Sequence, residues 1–184
     1  ATLSVWIYIP ERDGISIIFH DAYGGNSRLY MILDGGEDIT FAVREANGAG
    51  LKDYEVNNPG LEYGWHHLVG TADLVNNEMK IYFDGNVISS NSPTFTQNTF
   101  EEDGTTSTRI GGGTSGGSFF NGTIDEIAIW NKSLSANEVS EIYNLQNGKY
   151  NLKADVTDGI NNGTVDEDYS FTIDDGIDYN TCIP

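Results

Sequence analysis

Between Thr2 and Trp130, apolar side chains recur at every second position in short segments cut off by turns containing glycine, asparagine or aspartate. That period of two excludes a helical fold and leaves an antiparallel β-structure. The opening segment 2–9 (TLSVWIYI) is β-branched and aromatic, and 15–20 (ISIIFH), 28–33 (RLYMIL) and 39–44 (ITFAVR) follow in kind. Turns at 23–26 (YGGN) and 34–36 (DGG) separate them, while 47–50 and 57–60 punctuate what comes next. Segments 65–71 (WHHLVGT), 79–84 (MKIYFD) and 87–90 (VISS) form a meander through Asn76-Asn77 and Asp84-Gly85-Asn86. After a short strand at 108–110, residues 111–117 (GGGTSGG) read as a flexible surface loop. Segment 123–130 (TIDEIAIW) carries apolar residues of both parities near its end, which predicts a central strand covered on two faces.

One helix is predicted after these strands. Ser135 and Glu138 have the spacing of a capping box, Leu134 and Val139 that of a hydrophobic staple, and Val139, Ile142 and Tyr143 share a face. Gly148 supplies the stop. Beyond it, 150–156 (YNLKADV) and 169–173 (YSFTI) alternate as a terminal β-hairpin. Two strands alone are marginal in water. The chain therefore divides into a domain over 1–148 and, over 149–184, either a hairpin extension of its sheets or part of an immunoglobulin-like module; the helix-and-glycine ending favours the second.

Charge narrows the partners. Nine Lys and Arg against 28 Asp and Glu leave a net charge of −19 on 184 residues, a field that repels phosphate backbones and anionic lipid. Nucleic acid is excluded as a partner on this ground, and the absence of a long apolar run argues against membrane insertion. The lone Cys182 rules out a disulfide scaffold. Opening directly in strand-like sequence, the chain reads as a mature product or a piece of something longer.

Four segments, LSVWIYIP from Leu3, WHHLVGTAD from Trp65, MKIYFDGNVI from Met79 and NGTIDEIAIWNKSLSANEVSEIYN from Asn121, together resemble the laminin-G-like, concanavalin A-like jelly-roll family. The resemblance covers about residues 2 to 148 and implies two antiparallel sheets, one concave and one convex, with binding loops along the rim. It also implies a strand upstream of Leu3 that this chain lacks, leaving an edge for which the terminal hairpin is a candidate cover. Family members often hold a structural Ca²⁺ at the sheet margin, and Asp125 occupies the matching I-D-E position; the competing reading has Asp125 bonding loop amides without metal.

Catalytic patterns are weak. His66 and His67, adjacent on a strand, face opposite ways and cannot act as a dyad; W-H-H is a framework motif in the family. The E-x-D-x-x-E strand of glycosidases with this jelly roll is missing. No G-x-S-x-G elbow occurs. Sugar recognition needs exposed aromatic faces and side-chain hydrogen bonds, and on loops or loop edges the candidates are Tyr23, Asn26, Tyr63, Phe119 and Asn121. Trp6, Trp65 and Trp130 lie on strands and are expected in the core. Sequons at Asn121, Asn131 and Asn162 are no more frequent than chance allows.

The expected function is a non-catalytic, extracellular or cell-surface recognition and adhesion module, binding carbohydrate or a cell-surface protein through rim loops. Two alternatives belong to other classes: a polysaccharide-degrading hydrolase or lyase of the same fold, and a structural or filament subunit exchanging strands with a neighbour.

Overall fold

A computed structural model describes residues 1–146 apart from 11–13, 24–25, 35–37, 48, 102–105 and 115. The chain forms β1 (Thr2–Ile9), β2 (Ser16–Tyr23), β3 (Asn26–Asp34), β4 (Asp38–Glu45), β5 (Gly50–Val56), β6 (Gly64–Asp73), β7 (Glu78–Phe83), β8 (Asn86–Asn91), β9 (Thr106–Ile110), β10 (Thr123–Trp130) and α1 (Ala136–Gln146). A first sheet of order β10-β1-β6-β7-β8 packs on a second of order β5-β4-β3-β2-β9, all pairings antiparallel. This is the expected all-β jelly-roll sandwich with one short C-terminal helix. The predicted terminal hairpin and Gly148 lie outside the described residues.

Strand alternation decides which side chains meet. Leu3, Val5, Ile7 and Ile9 of β1 point between the sheets beside Leu68, Met79 and Ile81, and the second sheet answers with Met31, Leu33, Ile39, Phe41 and Val43. Each such side chain contributes about 1.5–3 kcal/mol when fully buried, so this layer holds the sandwich together. The β7–β8 connection is a two-residue turn: Asp84 and Gly85 take φ of 48° and 76°, the paired positive values of a type I′ hairpin.

β10 corrects one expectation. Its mixed-parity apolar residues predict a central strand, yet it is the edge of its sheet, with Ile129 54% exposed. The cause is a bulge: the pairing register shifts between Ser4 and Trp6 of β1, and Glu126 has a φ of 48°. Ile124 and Ile127, three positions apart, consequently both pack on the core. Among the described residues no strand covers β10.

α1 begins as its sequence predicts. Ser135 donates to Glu138 Oε2 through N–H at 2.8 Å and Oγ at 2.9 Å, and Glu138 N–H returns a bond to Ser135 Oγ at 3.3 Å. Leu134 and Val139 close the staple and join Val69 and Tyr82 in a second apolar cluster on the outer face of the first sheet. Tyr143 stacks on Trp6 at 5.6 Å.

The adjacent histidines face opposite ways and respond to pH in opposite senses. His67 is fully buried, its Nε2 2.7 Å from Ser4 Oγ and its ring 5.2 Å from that of Trp6. Burial drives its pKa down to about 4, against the pull of Asp84. His66 Nδ1 lies 3.0 Å from Asp84 Oδ2; burial lowers its pKa, but the Asp84 carboxylate and the Glu62 carbonyl together raise it further. Between the unfolded value and the depressed folded one, the unfolded chain holds a proton that folded His67 does not, so stability falls with pH by up to ~3 kcal/mol. The His66 contribution is present below its unfolded value and lost as pH rises through the folded one. Thermal melts from about pH 7.5 to about pH 4.5 are expected to show a falling Tm, with a shallower slope in His67→Gln.

Candidate functional site

Loops that can meet a ligand collect at one end of the sandwich. Pairing of Ile9 with Gly64 and of Tyr8 with Thr123 sets the end of β1 level with the starts of β6 and β10, and the short β1–β2 connection begins β2 at the same end. There Gly14, Ile15 and Ser16 face Phe119, Phe120 and Asn121 across an open cleft of about 490 Å³. Phe119 is 69% exposed and Ile15 52%.

Backbone bonds fix the walls of this cleft. Ile17 N–H donates to Ser118 O at 3.0 Å, Phe120 N–H to Gly111 O at 3.1 Å, and Gly111 N–H to Ile18 O at 2.8 Å. Within the glycine segment, Gly113 N–H donates to Gly117 O at 3.1 Å and the Arg109 guanidinium to Gly113 O at 3.0 Å. A Cβ on Gly112 would stand 3.0 Å from the Phe119 ring, so the missing side chain seats that aromatic. A held aromatic face beside an amide side chain is the chemistry that grips a sugar by its C–H surface and its hydroxyls.

Of the five ligand-binding candidates, Phe119 and Asn121 come together here. Tyr63, 66% exposed, precedes β6 at the same end. Tyr23 and Asn26 pair with each other across the β2–β3 hairpin, at the far end of β2. At ~3.3 Å per residue the strand puts them about 23 Å away, so they do not join the cleft.

The structure also places residues that the sequence reading misses. Trp65, expected in the core, is 46% exposed on the outer face of the first sheet, its ring 5.7 Å from that of Tyr8. A strand position buries a side chain only when its face is covered, and α1 closes over Trp6 and His67 instead. Trp6 and Trp130 are half-buried. On the second sheet, burial and then the Asp53 and Glu55 carboxylates push the Tyr30 hydroxyl upward in pKa, while Thr40 Oγ1 donates to Glu55 Oε2 at 3.4 Å. His20 stands edge-on to Tyr30 and accepts the Thr114 N–H at 3.2 Å. Asp53 and Glu55 share one face of β5, whose sequence shows little beyond its flanking turns; the outward carboxylates dilute the signal of the inward Tyr54 and Val56.

Asp125 is exposed, and its Oδ1 accepts the Glu126 N–H at 2.8 Å. Among the described residues no three His, Cys, Asp or Glu gather to hold a metal ion. No helix among the described residues is long and apolar enough to cross a membrane.

A family model described as the concanavalin A-like lectin/glucanases superfamily matches residues 1–140. The chain belongs to that superfamily. Several solved structures share its architecture. The carbohydrate-binding module CBM40 of a Ruminococcus gnavus sialidase superposes at a TM-score of 0.58 with 14% identity, covering 77% of this chain and 81% of that one. A heptameric SAP-like pentraxin from Limulus polyphemus gives 0.56 with 18% identity over 77% and 68% of the two chains. The receptor-binding domain of botulinum neurotoxin type G gives 0.56 with 17% identity over 79% and 38%. At these identities the likeness is one of fold. No curated protein matches the sequence. For this concanavalin A-like domain, function rests on the site's own chemistry.

Proposed function

We propose that the chain is a non-catalytic glycan-recognition module of an extracellular or cell-surface protein, holding carbohydrate in the cleft of residues 14–16 and 119–121. The observation that carries this reading is Phe119: a large apolar ring 69% exposed, on a loop anchored by backbone bonds, beside Asn121. An exposed ring held in place gives stacking area at little entropic cost. The use of the fold elsewhere supports the reading, since the Ruminococcus gnavus CBM40 has a structure bound to alpha2,3 sialyllactose.

A glycan array probed with the full chain tests it. The wild type is expected to bind at least one saccharide, and Phe119→Ala to weaken that binding by about tenfold. Binding to no saccharide overturns the reading. Tyr30 and Asp53 lie in one register row across β3, β4 and β5, with Glu55 on the same face of β5, and this grouping favours one rival, a polysaccharide-degrading enzyme. Release of new reducing ends from a bound polysaccharide would select that rival.

A further inference from the structure

Outward-facing strand residues on a solvated sheet are ordinarily polar. At the loop-bearing end of the first sheet, the outer row instead runs Thr123, Tyr8 and Trp65 across β10, β1 and β6. Tyr8 is 38% and Trp65 46% exposed, with ring planes tilted by 58° at 5.7 Å. Tyr143 of α1 covers the neighbouring row of Trp6 and His67 and leaves this one open. Because Ile124 packs into the core, Thr123 beside it points outward next to its register partner Tyr8, while the exposed Asp125 is in register with Trp6, one outward row along.

An aromatic platform edged by the Thr123 hydroxyl matches one class of ligand. A pyranose ring lays its C–H face on the aromatics, and its hydroxyls hydrogen-bond the Thr123 hydroxyl. Charge selects among sugars: Asp125 one row along the same face, within a chain of net charge −19, disfavours sialic acids, uronic acids and sulfated residues.

We propose that Tyr8 and Trp65 form a second carbohydrate subsite, separate from the Phe119 cleft, that takes a neutral hexopyranose residue. The inference rests on the glycan-binding reading above. Calorimetric titration of the full chain with neutral hexasaccharides of glucose, mannose and N-acetylglucosamine, and with sialyllactose, tests it in the wild type, Trp65→Ala, Trp65→Phe and Phe119→Ala.

Trp65→Ala is expected to weaken binding of a neutral saccharide by about tenfold, and Trp65→Phe to stay within about threefold of wild type. If Trp65→Ala binds as wild type while Phe119→Ala does not, the subsite falls and the glycan module stands. If the wild type binds no saccharide, both fall. Binding of sialyllactose alone overturns the choice of a neutral sugar. Shielding of Trp65 from acrylamide in the free chain, read as wild type against Trp65→Phe, would show the platform occupied by residues 147–184 or a second copy and would also overturn it.

Discussion

Gly70→Ala is expected to destabilise the fold by ~3 kcal/mol and to lower Tm by roughly 10 °C. Gly70 faces inward from the middle of β6, where a Cβ would overlap Cγ and Cδ2 of Phe41 and lie 2.8 Å from its Cδ1. Phe41 is fully buried and in register with Met31 on one side and Tyr54 on the other, so its ring has nowhere to swing. The glycine therefore serves the close approach of two sheets, not a turn, and removing it forces apart the layer that supplies most of the stability. Denaturant melts of the variant check this; an unchanged midpoint would mean that the sheets are farther apart than described.

A similarly large loss is expected where the core ends in a charge. Glu45 continues the inward parity of Ile39, Phe41 and Val43 and is fully buried. Its Oε2 accepts the Thr96 N–H, the Gln97 N–H at 2.7 Å and Thr96 Oγ1 at 3.1 Å, with Lys52 Nζ 3.7 Å from Oε1. Glu45→Leu strands those donors and the ammonium, at a cost of ~4 kcal/mol, whereas Glu45→Gln keeps an acceptor oxygen and loses about half as much. Burial opposes ionisation of Glu45, yet the Gln97 and Thr96 donors with Lys52 outweigh it and hold the pKa below the ordinary carboxyl value. Its stabilisation is accordingly present above the unfolded value and lost as pH falls through the folded one. Acid melts of Glu45→Gln, compared with wild type, separate this loss from that of His67.

Where the period of two was strong and the covering face simple, the sequence was enough: β1 and β10 have their predicted limits, and the Ser135–Glu138 box starts α1. Local pattern does not report what covers a face. Trp65 has the same strand context as His67, but only His67 lies beneath the helix. The bulge at Glu126 turned an edge strand into an apparent central one, because an extra residue resets parity. Glu45 has the parity of a core residue and the chemistry of a surface one; its partners lie about fifty positions away, at Thr96 and Gln97. At the candidate site, Phe119 and Asn121 were legible as a loop edge, whereas their meeting with Ile15 depends on the pairing of Ile17 with Phe119.

Amide chemical-shift mapping of the full chain, during titration with a saccharide that binds on the array, tests the central claim most directly. Shifts clustered at Ile15, Ser16, Phe119 and Asn121 are the predicted result. Shifts confined to Tyr30, Asp53 and Glu55 on the second sheet, or none at saturating saccharide, would contradict it.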